Sequence, residues 1–237
     1  MSESCFDCLS GKNILNKKDY KIKNLAQQLR GTISGSRAKE MIEFIEKERT
    51  EWEVRSMVQI GVHQIATTVD QFFTDFWKIY TESFPLNERR TSIQQNLIFQ
   101  KPQYQLNIYL INNQIVGFIA YWIDPEFAFI EHFAISSEFR GKRLGSTVLQ
   151  QFIEDFKIPV ILEIEMPVDE LTRRRLNFYE LAGFSRNPHQ HYMPPYLQSN
   201  PPLEMEILTF PTQISEDLFQ RFSRFQKEVV MGYLISS

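Results

Sequence analysis

The sequence predicts an α/β domain, a mixed sheet with helices on its faces. Three observations predict it. Between residues 55 and 211, β-rich apolar runs take turns with runs whose apolar residues recur at helical spacing. The apolar run Phe127–Ile135 leads through a short basic turn containing glycine into an amphipathic stretch from Leu144. A later helical run, Asp169 to Ala182, ends on Gly183, the usual C′ residue of a helix.

The elements follow in order. Ser56 to Ile65 is rich in Val and Ile and reads as a first strand. Val69 to Phe84 places Phe72, Phe73, Phe76, Ile79, Tyr80 and Phe84 at helical spacing, and Pro85 stops it. Glu88 to Phe99 reads as a second helix. Tyr104, Leu106, Ile108 and Leu110 alternate with polar residues, as on a half-buried strand. Asn112-Asn113 suits a two-residue hairpin turn, because Asn tolerates positive φ. Ile115 to Ile123 returns, and Asp124-Pro125-Glu126 turns the chain into Phe127–Ile135. The helix from Leu144 carries Val148, Phe152 and Phe156 on one stripe. Pro159 to Ile164 is a strand. Asp169 to Ala182 turns Leu171, Phe178 and Ala182 inward. Phe184 opens an extended region, Leu203 to Phe210 is a strand, and Glu216 to Gln226 is a last helix.

The chain has 237 residues, room for one large domain with extensions. Residues 1–54 read as a helical extension, 55–211 as the main domain and 212–237 as a C-terminal helix. Twenty phenylalanines suggest a thick core. A net charge of −3 gives no electrostatic case for nucleic acid or an acidic membrane. No apolar stretch reaches spanning length and no signal pattern opens the chain, so a cytoplasmic protein is expected. Cys5 and Cys8 are the two cysteines. A zinc site needs about four ligands, and the four histidines lie far from that pair in sequence. No metal is expected.

The chemistry begins at the basic turn. Arg140, Gly141, Lys142, Arg143, Leu144, Gly145 and Ser146 place backbone N–H groups and positive charge at a helix mouth, which suits a phosphate or pyrophosphate. On the preceding strand, alternation puts Phe127, Phe129, Glu131, Phe133 and Ile135 on one face and Ala128, Ile130, His132 and Ala134 on the other. Glu131 is then a carboxylate among phenylalanines. Desolvation would raise its pKa and make it a proton acceptor; the alternative is a glutamate paired with an arginine or set at a wet sheet edge. His132 reads as a core or surface histidine.

The run Arg140-Gly141-Lys142-Arg143-Leu144-Gly145 resembles the acyl-CoA motif R-x-x-G-x-G/A of the GNAT acetyltransferases, with Arg143 in a glycine position. Arg174 to Phe184, with Phe178-Tyr179 and Gly183-Phe184, resembles the late-helix signature F-Y-x-x-x-G-F of the same family. The resemblance spans roughly residues 55–211. It implies the GNAT fold, a mixed, mostly antiparallel sheet flanked by helices, and acetyl-CoA as co-substrate. It implies that the main chain of Phe133, Ala134 and Ile135 pairs with the pantetheine arm and that the Arg140–Ser146 loop holds the pyrophosphate. It makes Glu131 the base and Tyr179 the acid that protonates the departing thiolate.

The reaction so implied is direct attack of a primary amine on the thioester, with no acyl-enzyme. The acceptor, a small-molecule or peptide amine, would meet Phe72–Arg90 and the loop from His189 to Tyr196. His189 and His191 as metal ligands would lack a third partner. A homodimer is left open. The competing reading is a GNAT-like module that binds acyl-CoA without catalysis, as a sensor or interaction partner.

Overall fold

A computed structural model describes residues 59–196 and 200–232, together with Arg37 and Glu40. The chain divides into two units, Met1–Val58 and Gln59–Ser237; the fold below is that of the second. The expected extension at 1–54, Arg37 and Glu40 excepted, lies outside the described residues, as do Cys5, Cys8 and the start of the Ser56–Ile65 strand.

The elements are β1 (Gly61–Gln64), α1 (Phe73–Ser83), α2 (Ser92–Ile98), β2 (Tyr104–Ile111), β3 (Gln114–Asp124), β4 (Phe127–Ile135), α3 (Leu144–Glu154), β5 (Val160–Glu165), α4 (Glu170–Leu181), β6 (Ser185–Arg186), β7 (His191–Met193), β8 (Leu203–Phe210) and α5 (Glu216–Phe225). Strand order is β1-β2-β3-β4-β5-β8-β6, with β7 also on β8. Every pairing is antiparallel except β4 with β5. This is the mixed, mostly antiparallel sheet that the resemblance implied.

Local chemistry sets the boundaries. The Thr91 side chain accepts from the Gln94 amide while Gln94 reaches back to Thr91, a capping box. That box starts α2 at Ser92 rather than at Glu88, as the sequence suggested; Leu86–Glu88 is a separate 3-10 turn. Asp169 and Thr172 form a second box at the head of α4. It sets the helix phase so that Thr172, Leu176 and Tyr179 point inward. Leu171, expected inside, is 66% exposed. Asn112 and Asn113 both take positive φ, 49° and 64°, as the hairpin requires. The extended region after Phe184 divides into β6 and β7, both on β8.

Two apolar layers cover the sheet. Phe76 of α1 meets Phe118 edge-on at 4.9 Å, and Phe222 of α5 packs on Phe127 and Phe129 at 5.8 and 5.0 Å. On the other face Val148, Leu149, Phe152 and Ile153 of α3 join Leu176 and Tyr179 of α4 against Ile119, Ile130 and Leu162. Among the described residues, most phenylalanines are thus buried in these layers or packed against them. Each fully buried ring contributes about 1.5–3 kcal/mol of transfer free energy.

Candidate active site

β4 and β5 run side by side only briefly. Ala128, Phe129 and Ile130 pair with Val160, Ile161 and Leu162, and the register ends there. β4 continues to Ile135 on its β3 side alone, so the β5-facing backbone from Glu131 to Ile135 lines an open fork. The mouth of the fork is α3. A Cβ placed on Gly145 would come within 3.4 Å of Ile135 and 3.6 Å of Phe178. Gly145 is therefore where the basic loop, the end of β4 and the late helix meet.

The loop before α3 is tightly turned and exposed. Gly141 takes φ 77° and Arg143 φ 56°, both left-handed. Only glycine adopts that region without cost, and Arg143 takes it at the position where the motif R-x-x-G-x-G/A has glycine. The first amides of α3 lack intrahelical acceptors by construction. Arg140 donates Nε–H to the Ile135 carbonyl at 3.0 Å, which fixes its head at the tip of β4. Lys142 donates to the Glu138 carbonyl at 3.0 Å. Leu144 and Ser146 sit in the first turn of α3.

β4 does not alternate cleanly. Ala120 faces His132 and Tyr121 faces Ile130, which leaves Glu131 as the extra residue of a bulge. The bulge reverses the faces downstream of it. Phe133 and Ile135 pack with α3 and α4, whereas Ala134 joins the layer under α1. His132, expected opposite Glu131, shares its face and meets Tyr80 and Phe84 edge-on at 5.0 and 4.6 Å. This corrects the alternation read from sequence; an added residue in one strand shifts every later side chain.

The Glu131 side chain is 3% exposed. Arg90 grips both carboxylate oxygens through its two terminal nitrogens. Trp122 donates Nε1–H at 2.8 Å and the Tyr196 hydroxyl donates at 2.7 Å. Arg90 itself is fully buried, its guanidinium 5.6–5.7 Å from the ring centres of Tyr104, Trp122 and Tyr196. Burial pushes the Glu131 carboxyl up, but Arg90, His132 and Tyr196 outweigh it, and the net direction is down. The raised pKa expected from the phenylalanine surroundings is therefore corrected: the buried arginine reverses the sign. His132 holds the Glu88 carbonyl through Nε2 at 3.0 Å. Burial, opposed by Glu131, drops its pKa to about 4.

Tyr179 lies on α4, buried between Phe178 and Phe184 with ring centres at 5.1 and 5.7 Å. Burial raises its phenol to about 12, so it is held protonated. Sequence reasoning missed Arg90, Trp122 and Tyr196. Arg90 and Tyr196 fall inside the two segments expected to flank the acceptor, but nothing local marks them as partners of Glu131. Among the described residues no cluster of His, Cys, Asp and Glu could hold a metal ion, and no helix is long and apolar enough to cross a membrane.

The model of the acetyltransferase (GNAT) family matches residues 69–184. A GNAT-family protein from Bacteroides thetaiotaomicron is 30% identical with a TM-score of 0.68, covering 73% of this chain and 98% of its own. The ribosomal-protein-S18-alanine N-acetyltransferase of Escherichia coli is 14% identical, TM-score 0.47, covering 66% of this chain and 96% of its own. A GNAT acetyltransferase from Elizabethkingia anophelis, solved with acetyl-CoA bound, is 16% identical, TM-score 0.44, covering 63% and 96%. No curated protein matches the chain by sequence. A shared sequence and fold over nearly the whole of the Bacteroides protein, together with the family model, decide the assignment: the chain belongs to the GNAT family of acetyltransferases.

Proposed function

We propose that this domain transfers an acetyl group from acetyl-CoA to a primary amine by direct attack. One observation carries the reading: β4 and β5 part at Ile130 and Leu162, and the N-terminus of α3 stands at the mouth of that fork. The fork offers strand-like backbone groups to a pantetheine arm. The amides of Leu144, Gly145 and Ser146, with Arg140, Lys142 and Arg143 around them, offer a pyrophosphate site. A backbone N–H of Phe133 to Ile135 holds the developing oxyanion. Tyr179, kept protonated by burial, gives its proton to the departing thiolate. Glu131, expected as the base, has its oxygens engaged by Arg90, Trp122 and Tyr196; we assign it to holding the acceptor-side segments together.

The acceptor is a small-molecule or peptide amine, met by the segment up to Arg90 and by the loop after His189. A cytoplasmic setting, a homodimer and residues 1–54 as a separable extension belong to the same reading. The test joins two measurements, a thermal melt with acetyl-CoA and thiol release across a panel of amines, polyamines and peptides. Acetyl-CoA at 100 times its Kd should add about 2.7 kcal/mol. Tyr179→Phe should then lower turnover by about 10²-fold or more with the melting shift kept. Stabilisation without thiol release from any amine would instead favour a silent acyl-CoA-binding module.

A further inference from the structure

β4 and β5 part after three paired residues, and each places a glutamate there. Ile130 and Leu162 are the last paired residues. Glu131 and Glu163 follow them, with side chains 3% and 6% exposed. Glu163 answers to other partners than Glu131 does. His191 of β7 turns Nε2 to its Oε1. Gln226, at the head of the π turn that continues α5, donates Nε2–H to Oε1 and Oε2 at 2.7 and 2.8 Å. Phe219 and Phe222 of α5 pack on the His191 ring at 5.9 and 5.6 Å.

The two carboxylates differ in the kind of counter-charge they hold. A guanidinium never gives up its proton. Protonating Glu131 would take its carboxylate charge away from the buried Arg90 cation. An imidazole gains and loses its charge under ordinary conditions. A proton arriving at His191 completes an ion pair with Glu163 instead of creating an isolated charge. The other charged and titratable groups around the pair are already matched: Arg90 with Glu131, Arg175 with Glu165, Arg186 with Glu206, and His189 with Glu216. Glu204 stands exposed at the rim. His191 also borders open space. With Met166, His189 and Gln190 it lines a cavity of about 540 Å³, and Met166 directly follows the last residue of β5.

Resting on the acetyl-transfer reading above, we infer that the Glu163–His191 pair, and not Glu131, takes the proton of the acceptor ammonium, directly or through one water. The ammonium gives one proton to His191 and becomes an amine. Its lone pair forms the C–N bond at the thioester carbonyl. The C–S bond breaks and its electron pair stays on sulfur. The thiolate takes a proton from Tyr179, which is restored as the new amide nitrogen sheds its second proton. His191 returns its proton to water through the cavity, so one proton is released per turnover.

The pH dependence of kcat/KM on an accepted amine tests this, in the wild-type chain, His191→Gln, Glu163→Gln and Glu131→Gln, with the acetyl-CoA melting shift read beside it. Glutamine at 191 keeps a donor toward Glu163, so the fold should hold. Both β5-side variants should lose about 10²-fold or more near neutral pH. The deficit should shrink as pH rises and free amine becomes available, with the acetyl-CoA shift unchanged. Glu131→Gln should lower the whole profile by one constant factor. A His191→Gln profile parallel to wild type at every pH overturns the assignment and leaves acetyl transfer standing. If His191→Gln melts below the assay temperature, Glu163→Gln, which keeps its bonds to Gln226, is read by the same criterion. A wild-type chain that releases no thiol with any amine overturns the transfer reading, and this assignment with it.

Discussion

The two sides of the fork solve one electrostatic problem differently. On the β4 side a buried glutamate is matched by a permanent cation, Arg90, and sealed by Trp122 and Tyr196. On the β5 side a buried glutamate is matched by a histidine and a neutral amide. The first arrangement joins β4, the turn before α2 and the loop after β7 through one carboxylate. Its charge state is locked, because any change strands an ion in low dielectric. In the second the counter-charge is an imidazole, a group that carries a proton in one of its two forms and not in the other. A permanent pair builds; a titratable pair can work. The same sheet thus separates a structural carboxylate from a chemical one by the choice of partner rather than by burial, since both are almost equally hidden.

Breaking the β4 side should have the largest effect. Arg90→Met leaves Glu131 buried beside neutral groups, and about 3–5 kcal/mol of stability should be lost in urea unfolding. The double variant Arg90→Met/Glu131→Leu should recover much of it, because no charge is then stranded. A loss under about 1 kcal/mol in the single variant would place this pair among weak surface bridges.

Acid should come next. His132 titrates at about 4 in the fold against 6.5 when free, chiefly through burial. A depressed pKa means the unfolded chain binds the proton first. The stability is therefore whole above 6.5 and falls as pH drops toward 4, a span worth about 3 kcal/mol. Glu131, also held down, pulls in the same direction at lower pH. His132→Gln should flatten the part of the slope between 6.5 and 4, measured as unfolding free energy against pH.

On the β5 side Gln226→Leu removes the donor to both Glu163 oxygens and should cost about 1–3 kcal/mol. That is less than the β4 break, because His191 remains. An equal or larger loss would mean that Gln226, not His191, is the main partner of Glu163. The smallest effect belongs to the loop. Arg143→Gly relieves a left-handed non-glycine residue and should raise stability by about 0.5–1 kcal/mol, while acetyl-CoA affinity falls with the lost charge. A destabilised variant would show that the Arg143 side chain holds the turn.

Much of the fold was legible because its signals are local. The Asn112-Asn113 turn, the strand Leu203–Phe210, the helix from Leu144 and the Gly183 stop are each written within a few residues of where they act. The two motifs around Gly145 and Tyr179 were legible for the same reason. The faces of the residues after Glu131 were not. Strict alternation is the right reading of an isolated strand, and only the pairing of β4 with β3 reveals the extra residue.

By itself, then, the sequence determined which segments become strands and helices, where the basic glycine-containing loop lies and which tyrosine follows it, since propensity, capping and turn chemistry act over a few residues. The tertiary structure decided the chemistry of the buried carboxylates. Arg90 stands 41 residues from Glu131 and Tyr196 stands 65, while Glu163 waits 28 residues for His191 and 63 for Gln226. A carboxylate's charge state depends on what lies within a few ångströms in space, and no local pattern of residues specifies which distant side chain will arrive there.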